Sequence, residues 1–235
     1  MKQRLYKLLK SRDYNYRMVI ACLKEITEYR DSYESKNSSK RNYTLEEHTE
    51  MVCNMFEKWF ANSYDYSDFD ISSFRIMLCV HDIGKPISLI KNDKYNQYKY
   101  TNEMIKRHER IFPLSNREFM NLLSIISDDP IGLYIRGKIS TATALDKIKR
   151  MNAMSEMDMV SFWDLILLYY QVDAGAYTSL GYIGPASGFI EKPKLEKTFK
   201  KDNHGLFVYS LDKKRFQFSD EIEIRIEELR RKAVI

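Results

Sequence analysis

Apolar residues recur along most of this chain at intervals of three and four, and alternate with polar ones only near its end. That is the spacing of helices with one buried face, and it predicts an all-α fold. From Asp13, read as an N-cap, Tyr16, Val19, Ile20, Leu23 and Ile26 share a face. The polar run DSYESKNSSKRNY, 31–43, breaks the pattern and reads as a loop or flexible connector. Thr44 with Glu47 three residues on is a capping box, behind which Leu45, His48, Val52, Met55, Phe56 and Trp59 keep one face. A third helix is expected from Ser72, with Phe74, Met77, Leu78 and His81 inward and Gly84 and Pro86 ending it.

KNDKYNQYKY, 91–100, reads as a loop or short hairpin, and another helix is expected from Thr101. Ser115 and Glu118 form a second capping box ahead of Phe119, Leu122, Leu123 and Ile126, and Asp128-Asp129-Pro130 stops that helix. A shorter helix near 140–151 precedes a long one opened by Ser155, on which Met159, Phe162, Trp163, Ile166, Tyr170, Asp173 and Tyr177 follow helical spacing. After a Gly- and Pro-bearing stretch, 181–194, LFVYSLDKKRFQFS alternates as a small β-hairpin around Asp212 does, and a charged helix follows from about Ser219. The division expected is a helical domain, 1–180, with a C-terminal appendage, 181–235, packed on it.

Composition narrows this picture only a little. A chain of 235 residues, 44% hydrophobic and 30% charged, can bury a core without cross-links. Cys22, Cys53 and Cys79 are odd in number and far apart in sequence, which argues against a disulfide framework or a cysteine zinc site and for a reducing, cytoplasmic location. The opening residues lack the apolar core of a signal peptide. The longest apolar runs, MVIACL and LILLYY, are far short of the roughly 20 residues of a membrane span, so no membrane role is expected. A net charge of +5 is a mild bias toward anionic partners and no argument by itself for nucleic acid.

The chemistry lies on the buried faces. His48, His81 with Asp82, and Asp173 come from three predicted helices, and three of the four sit on inward faces. A lone buried histidine is usually a hydrogen-bonded core residue, and Asp173 alone would pass as a helix-end group bonding a neighbouring segment. Two imidazoles and two carboxylates buried in one bundle are costly together unless they share a cation. Two nitrogens and two oxygens suit Mn, Fe, Co, Ni or Zn and leave positions for water and substrate, as a catalytic site does.

In their order, EEHTEMV around His48, CVHDIGKP around His81-Asp82 and YYQVDAGAYTSL around Asp173 resemble the HD superfamily of metal-dependent phosphohydrolases. HDIGKP is most similar to the HD domain of CCA-adding tRNA nucleotidyltransferases, and the likeness spans roughly 44–180. The resemblance implies an HD-type helical bundle in which His48, His81, Asp82 and Asp173 hold one divalent ion, Mn, Fe, Co, Ni, Zn or Mg. It also implies phosphomonoesterase or phosphodiesterase activity on a nucleotide, a cyclic nucleotide or an RNA end. With no Gly-Gly pair anywhere, a nucleotidyltransferase head is not expected.

Where two-metal members carry further histidines, Asn102 stands here, which favours one ion; His108 would substitute only in a different register. Asp82 is expected to bind the ion and orient water. Lys85 is expected to contact a phosphate oxygen, or else to answer the C-terminus of its helix. Asn102, Asp128, Asp129 and Arg136 are candidates for contacts with substrate or with the ligands, although turn chemistry before Pro130 is the better account of the two aspartates. Arg75 and Arg136 are weaker phosphate candidates, for which solvated surface positions are the better reading. The segment 91–100 and the basic run 192–201 read first as solvated surface and only second as contacts for bases or phosphates, and His204 has no evident role. The alternative from another class is an HD module that keeps its ion and binds a nucleotide without turnover. Four intact ligands favour turnover.

Overall fold

The three- and four-residue spacing becomes a helical bundle in the computed structural model, which describes residues 1–38, 41–65, 69–177, 207–210 and 215–234. Within them run α1 (Lys2–Leu9), α2 (Tyr16–Leu23), α3 (Thr27–Glu34), α4 (Leu45–Trp59), α5 (Ile71–Val80) and α6 (Lys85–Ile90). These are followed by α7 (Gln97–Arg107), α8 (Asn116–Ile125), α9 (Pro130–Ile135), α10 (Thr141–Ala153), α11 (Met159–Ala176) and α12 (Asp220–Val234). Among the described residues, strands form only two antiparallel pairs. β1 (Lys36–Ser38) lies beside β2 (Arg41–Thr44), and β3 (Phe207–Ser210) beside β4 (Arg215–Phe218) with Phe207 opposite Phe218.

Burial of most of their residues marks α5 and α11 as inner helices. In α5 each residue from Ser72 to Val80 except Arg75 is buried, and α11 buries Phe162, Trp163, Leu165, Ile166, Leu168, Tyr169, Tyr170 and Val172. α4 packs along α11 and against α5, with α2 and α3 on its other flanks. Its start is set by the expected capping box: the Thr44 hydroxyl accepts from the Glu47 N–H at 3.2 Å, and the Glu47 carboxylate accepts from the Thr44 N–H at 2.7 Å. Because this box places His48 one turn into the helix, Thr44→Ala is expected to cost about 1 kcal/mol in urea unfolding and to leave the fold intact. An unchanged midpoint would mean that tertiary packing alone sets this helix start.

Several boundaries differ from the expected ones, each for a local reason. Asn15, not Asp13, caps α2, and Asp70, not Ser72, caps α5 by accepting from the Ser72 and Ser73 N–H groups. The run 31–43 is not a connector: it finishes α3, where Tyr29, Ser32 and Tyr33 are buried, and continues into β1 and β2. The segment 91–100 is a turn, a 3₁₀ turn at Lys94–Asn96 and the start of α7, with no hairpin. Asp158 rather than Ser155 opens α11. The stop at Asp128-Asp129-Pro130 is also a start, since Asp129 caps α9 and proline occupies its first turn.

The predicted C-terminal strands pair as expected, while their connecting turn, the stretch 181–194, the basic run 192–201 and His204 lie outside the described residues. α12 buries Ile222, Ile226, Leu229 and Ala233, packs on α9, α10 and α11, and sends Arg225 to the carbonyls of Tyr134 and Ile135. All three cysteines are free and buried. Two of them are neighbours in space, however, with the Cys53 and Cys79 Sγ atoms 3.9 Å apart between α4 and α5. No helix among the described residues is long and apolar enough to cross a membrane.

Candidate metal centre

The end of α5 is the hinge of the site. The helix stops at Val80, His81 caps it, and the chain turns through Asp82 and Ile83 before α6 begins at Lys85. Gly84 therefore does not terminate a helix in the left-handed region. Its φ is −87°, and it is glycine because α7 presses on it: a Cβ there would lie 2.1 Å from the Thr101 nitrogen and 2.3 Å from the Tyr100 carbonyl carbon. This close approach fixes where Asp82 and Lys85 leave the turn.

α4 brings His48, and the last turns of α11 bring Asp173, to the same point. His48 and His81 are fully buried, Asp82 nearly so, and the Asp173 side chain keeps 33% of its exposure, making it the open side of the cluster. The His48 Nε2 atom stands 3.1 Å from Asp173 Oδ1, 3.4 Å from His81 Nε2 and 3.7 Å from Asp82 Oδ2. His81 Nε2 is 3.7 Å from Asp173 Oδ1 and 3.8 Å from Asp82 Oδ2. The four residues expected to be ligands thus meet in one place.

Lone pairs converge here. His81 Nδ1 is 2.7 Å from the Leu78 carbonyl, which can only accept, so Nδ1 carries a proton and the ring, in its neutral form, turns a bare Nε2 inward. Bare Nε2 and two carboxylates then surround His48 Nε2, which has at most one proton to share among them. A cation answers that surplus of acceptors, and the buried group His48, His81 and Asp82 can hold a metal ion. On the far side of the His48 ring Nδ1 is buried without a hydrogen-bond partner among the described residues. Packing orients this imidazole, through the Tyr177 ring stacked on it at 4.8 Å.

The titrations follow from burial and charge together. Burial lowers His48 below its ordinary 6.5 and outweighs its bond to Asp173. For His81 burial acts in the same direction but is overcome by the Asp82 and Asp173 charges, which raise it. Burial would raise Asp82, yet Lys85 and His81 hold it below the usual 3.8, and the two histidines hold Asp173 well below that value.

A carboxyl lowered in the folded state contributes stability that is complete above its unfolded pKa and is lost as pH falls through the folded one. The metal-free protein is therefore expected to lose stability below about pH 4, while the two histidines shift in opposite directions. Asp173→Asn should shrink that acid loss by on the order of 1 kcal/mol after solvent screening. Urea unfolding at pH 3 and pH 6 measures it, and equal losses in both proteins would rule out Asp173 as the source.

Lys85 stands at the site and not at a helix C-terminus, because it opens α6. Its ammonium is 2.6 Å from Asp82 Oδ2, largely buried at 14% exposure of the side chain, and that carboxylate keeps it firmly protonated. Beside Asp173 a crevice of about 20 Å³, room for one water, runs between Tyr98, Asp129, Pro130, Ile131, Tyr169 and Tyr170. Asp128 also lines it, ion-paired to Lys147. Asp129 is held by Arg136 at 2.7 Å and by the Gly132 N–H at 2.8 Å, while burial pushes its carboxyl up to about 6.

The remaining candidates are engaged elsewhere. The Asn102 amide donates to the Leu123 carbonyl at 3.3 Å, and its buried Oδ1 lacks a partner. His108 pairs with Glu28 at 3.0 Å under the edge of Tyr29. Arg75, far from being solvated surface, grips Glu57 with two bonds of 2.9 and 2.7 Å and lies over the Tyr14 ring. Sequence reasoning missed the tyrosines at the centre: Tyr177, and Tyr169, whose ring meets His81 edge-on at 5.9 Å. Both stand four residues from Asp173, so its helical stripe held the signal. No family model matches this chain, and neither does any curated protein or solved structure.

Proposed function

We propose that this protein is a metal-dependent phosphohydrolase of the HD type, hydrolysing a phosphomonoester or phosphodiester of a nucleotide, a cyclic nucleotide or an RNA end. The observation that carries the proposal is the set of lone pairs around His48 Nε2, within 3.1–3.7 Å, drawn from His81, Asp82 and Asp173. In this reading His48, His81, Asp82 and Asp173 hold one ion, Mn, Fe, Co, Ni, Zn or Mg. Such an ion, when bound, supplies Lewis acidity and a water acidified toward neutrality.

The chain's own residues supply the remainder. Lys85 neutralises Asp82 at rest and offers its ammonium to a phosphoryl oxygen, being close enough to the ligands to serve both. Asp82, with two oxygens and one strong partner, can orient a water with the other. Asp173 marks the side from which substrate enters, and Tyr98, Tyr169 and Tyr170 wall the crevice next to it, limiting bulk water.

The test is turnover by metal-stripped protein reloaded in turn with Mn, Fe, Co, Ni, Zn or Mg, against generic mono- and diesters and a nucleotide panel. Activity restored by at least one ion supports the hydrolase, and the ester preference narrows the substrate. Should nucleotides bind while no ion restores turnover, the protein is a binding module instead.

A further inference from the structure

Tyr177 follows the last residue of α11 and lies one helical turn beyond Asp173, so the two side chains leave the helix on the same side. Its ring lies on the His48 imidazole with centroids 4.8 Å apart and planes 19° from parallel. That stacking delivers the hydroxyl to a definite place, 3.3 Å from His48 Nε2. This is the imidazole edge that faces Asp82, His81 and Asp173, and not the Nδ1 edge.

What the phenol offers differs from its surroundings. Asp82 and Asp173 present only acceptors, which repel an incoming phosphoryl group, and the imidazoles turn their lone pairs inward. Tyr177 brings a neutral O–H. An ion held at Nε2 requires that nitrogen to be unprotonated and takes its lone pair, so the O–H can then turn to another oxygen acceptor. Lys85, bonded to Asp82 Oδ2 at 2.6 Å, is the other donor of the cluster.

We infer that Tyr177 is a substrate-contacting residue whose neutral hydroxyl donates a hydrogen bond to a non-bridging phosphoryl oxygen, joining Lys85 as the second donor. The inference rests on the phosphohydrolase reading above. It assigns Tyr177 to the phosphoryl group and not to the ion.

Cobalt(II) gives a test that needs no turnover. Its visible spectrum reports uptake of the ion, and the spectral change on adding inorganic phosphate reports entry of the anion. Tyr177→Phe keeps the stacked ring and removes only the hydroxyl. The expected result is cobalt uptake unchanged within about twofold and a phosphate half-saturation raised about tenfold, as for loss of one hydrogen bond to a charged group. Equal phosphate half-saturation in the two proteins overturns the inference and leaves the phosphohydrolase reading standing. Parallel weakening of cobalt and phosphate also overturns it, making Tyr177 a positioning residue that holds His48. If wild-type protein takes up cobalt and phosphate leaves its spectrum unmoved, the phosphohydrolase reading fails and this inference with it.

Discussion

Asp82→Ala is expected to lower metal-restored turnover by at least about 10²–10³-fold and, separately, to cost the metal-free protein about 3–5 kcal/mol. The first effect follows from its proposed place in the ligand set. The second follows from Lys85, whose ammonium is largely buried and has the Asp82 carboxylate 2.6 Å away. Removing the carboxylate leaves that cation without its counterion in a poorly solvated position, and the two nearby imidazoles cannot replace it. The double variant Asp82→Ala/Lys85→Met separates the effects, since it removes the stranded charge along with its cause. Most of the lost stability should return in urea unfolding, with turnover still absent. Turnover that persists in Asp82→Ala would sink the hydrolase reading, and a double variant no more stable than the single one would show that the cost lies outside the ion pair.

Gly84→Ala should be as damaging to structure as any single methyl in this chain, at about 3 kcal/mol, the upper end of ordinary overpacking costs. The atoms that its Cβ would meet at 2.1, 2.3 and 2.6 Å all belong to the backbone of Tyr100 and Thr101, so no side chain can swing away. α6 would have to move off α7 and carry the Asp82 turn with it, and metal uptake should weaken together with stability. Gly137 makes the internal control. It follows α9 with φ +65°, its N–H bonded to the Tyr134 carbonyl and the next N–H to that of Leu133, and nothing lies within 4 Å of a Cβ there. Gly137→Ala pays only for its backbone conformation, about 1 kcal/mol, and should leave metal uptake alone. Calorimetric melting and a metal titration of both variants check the contrast. Equal effects on metal uptake would mean that the α6–α7 contact does not hold the site.

What could be read from the sequence depended on whether a local signal coincided with the buried face. α4 is legible because Thr44 and Glu47 announce its start and His48 falls on its stripe. Asp173 is legible because a carboxylate interrupts an otherwise apolar face of α11. α5 is harder: Ser72 and Ser73 in its first turn are polar yet buried, so polarity does not mark where the helix begins, and Asp70 does the capping two residues before the expected start. In 31–43 Tyr33 belongs to a run that looks polar, yet its ring is fully buried and its hydroxyl donates to the Cys79 carbonyl at 2.5 Å. Pro130 misleads in another way, because a residue that forbids continuation of one helix is well suited to the first turn of the next. The bond between Lys85 and Asp82 depends on the turn at Gly84, and the stacking of Tyr177 on His48 depends on the docking of α11 along α4. Neither is written in any one segment.

His48 and His81 are 33 residues apart, and His48 and Asp173 are 125 apart. As the chain leaves the ribosome it presents these groups in sequence order, and the innermost helix that carries Asp173 arrives long after the first histidine. Until that helix docks, His48, His81 and Asp82 must stay hydrated, because burying them without the last carboxylate strands polar groups in an apolar interior. The earlier helices can therefore collect around the future core without sealing it. Docking of α11 and completion of the four-residue cluster become one event.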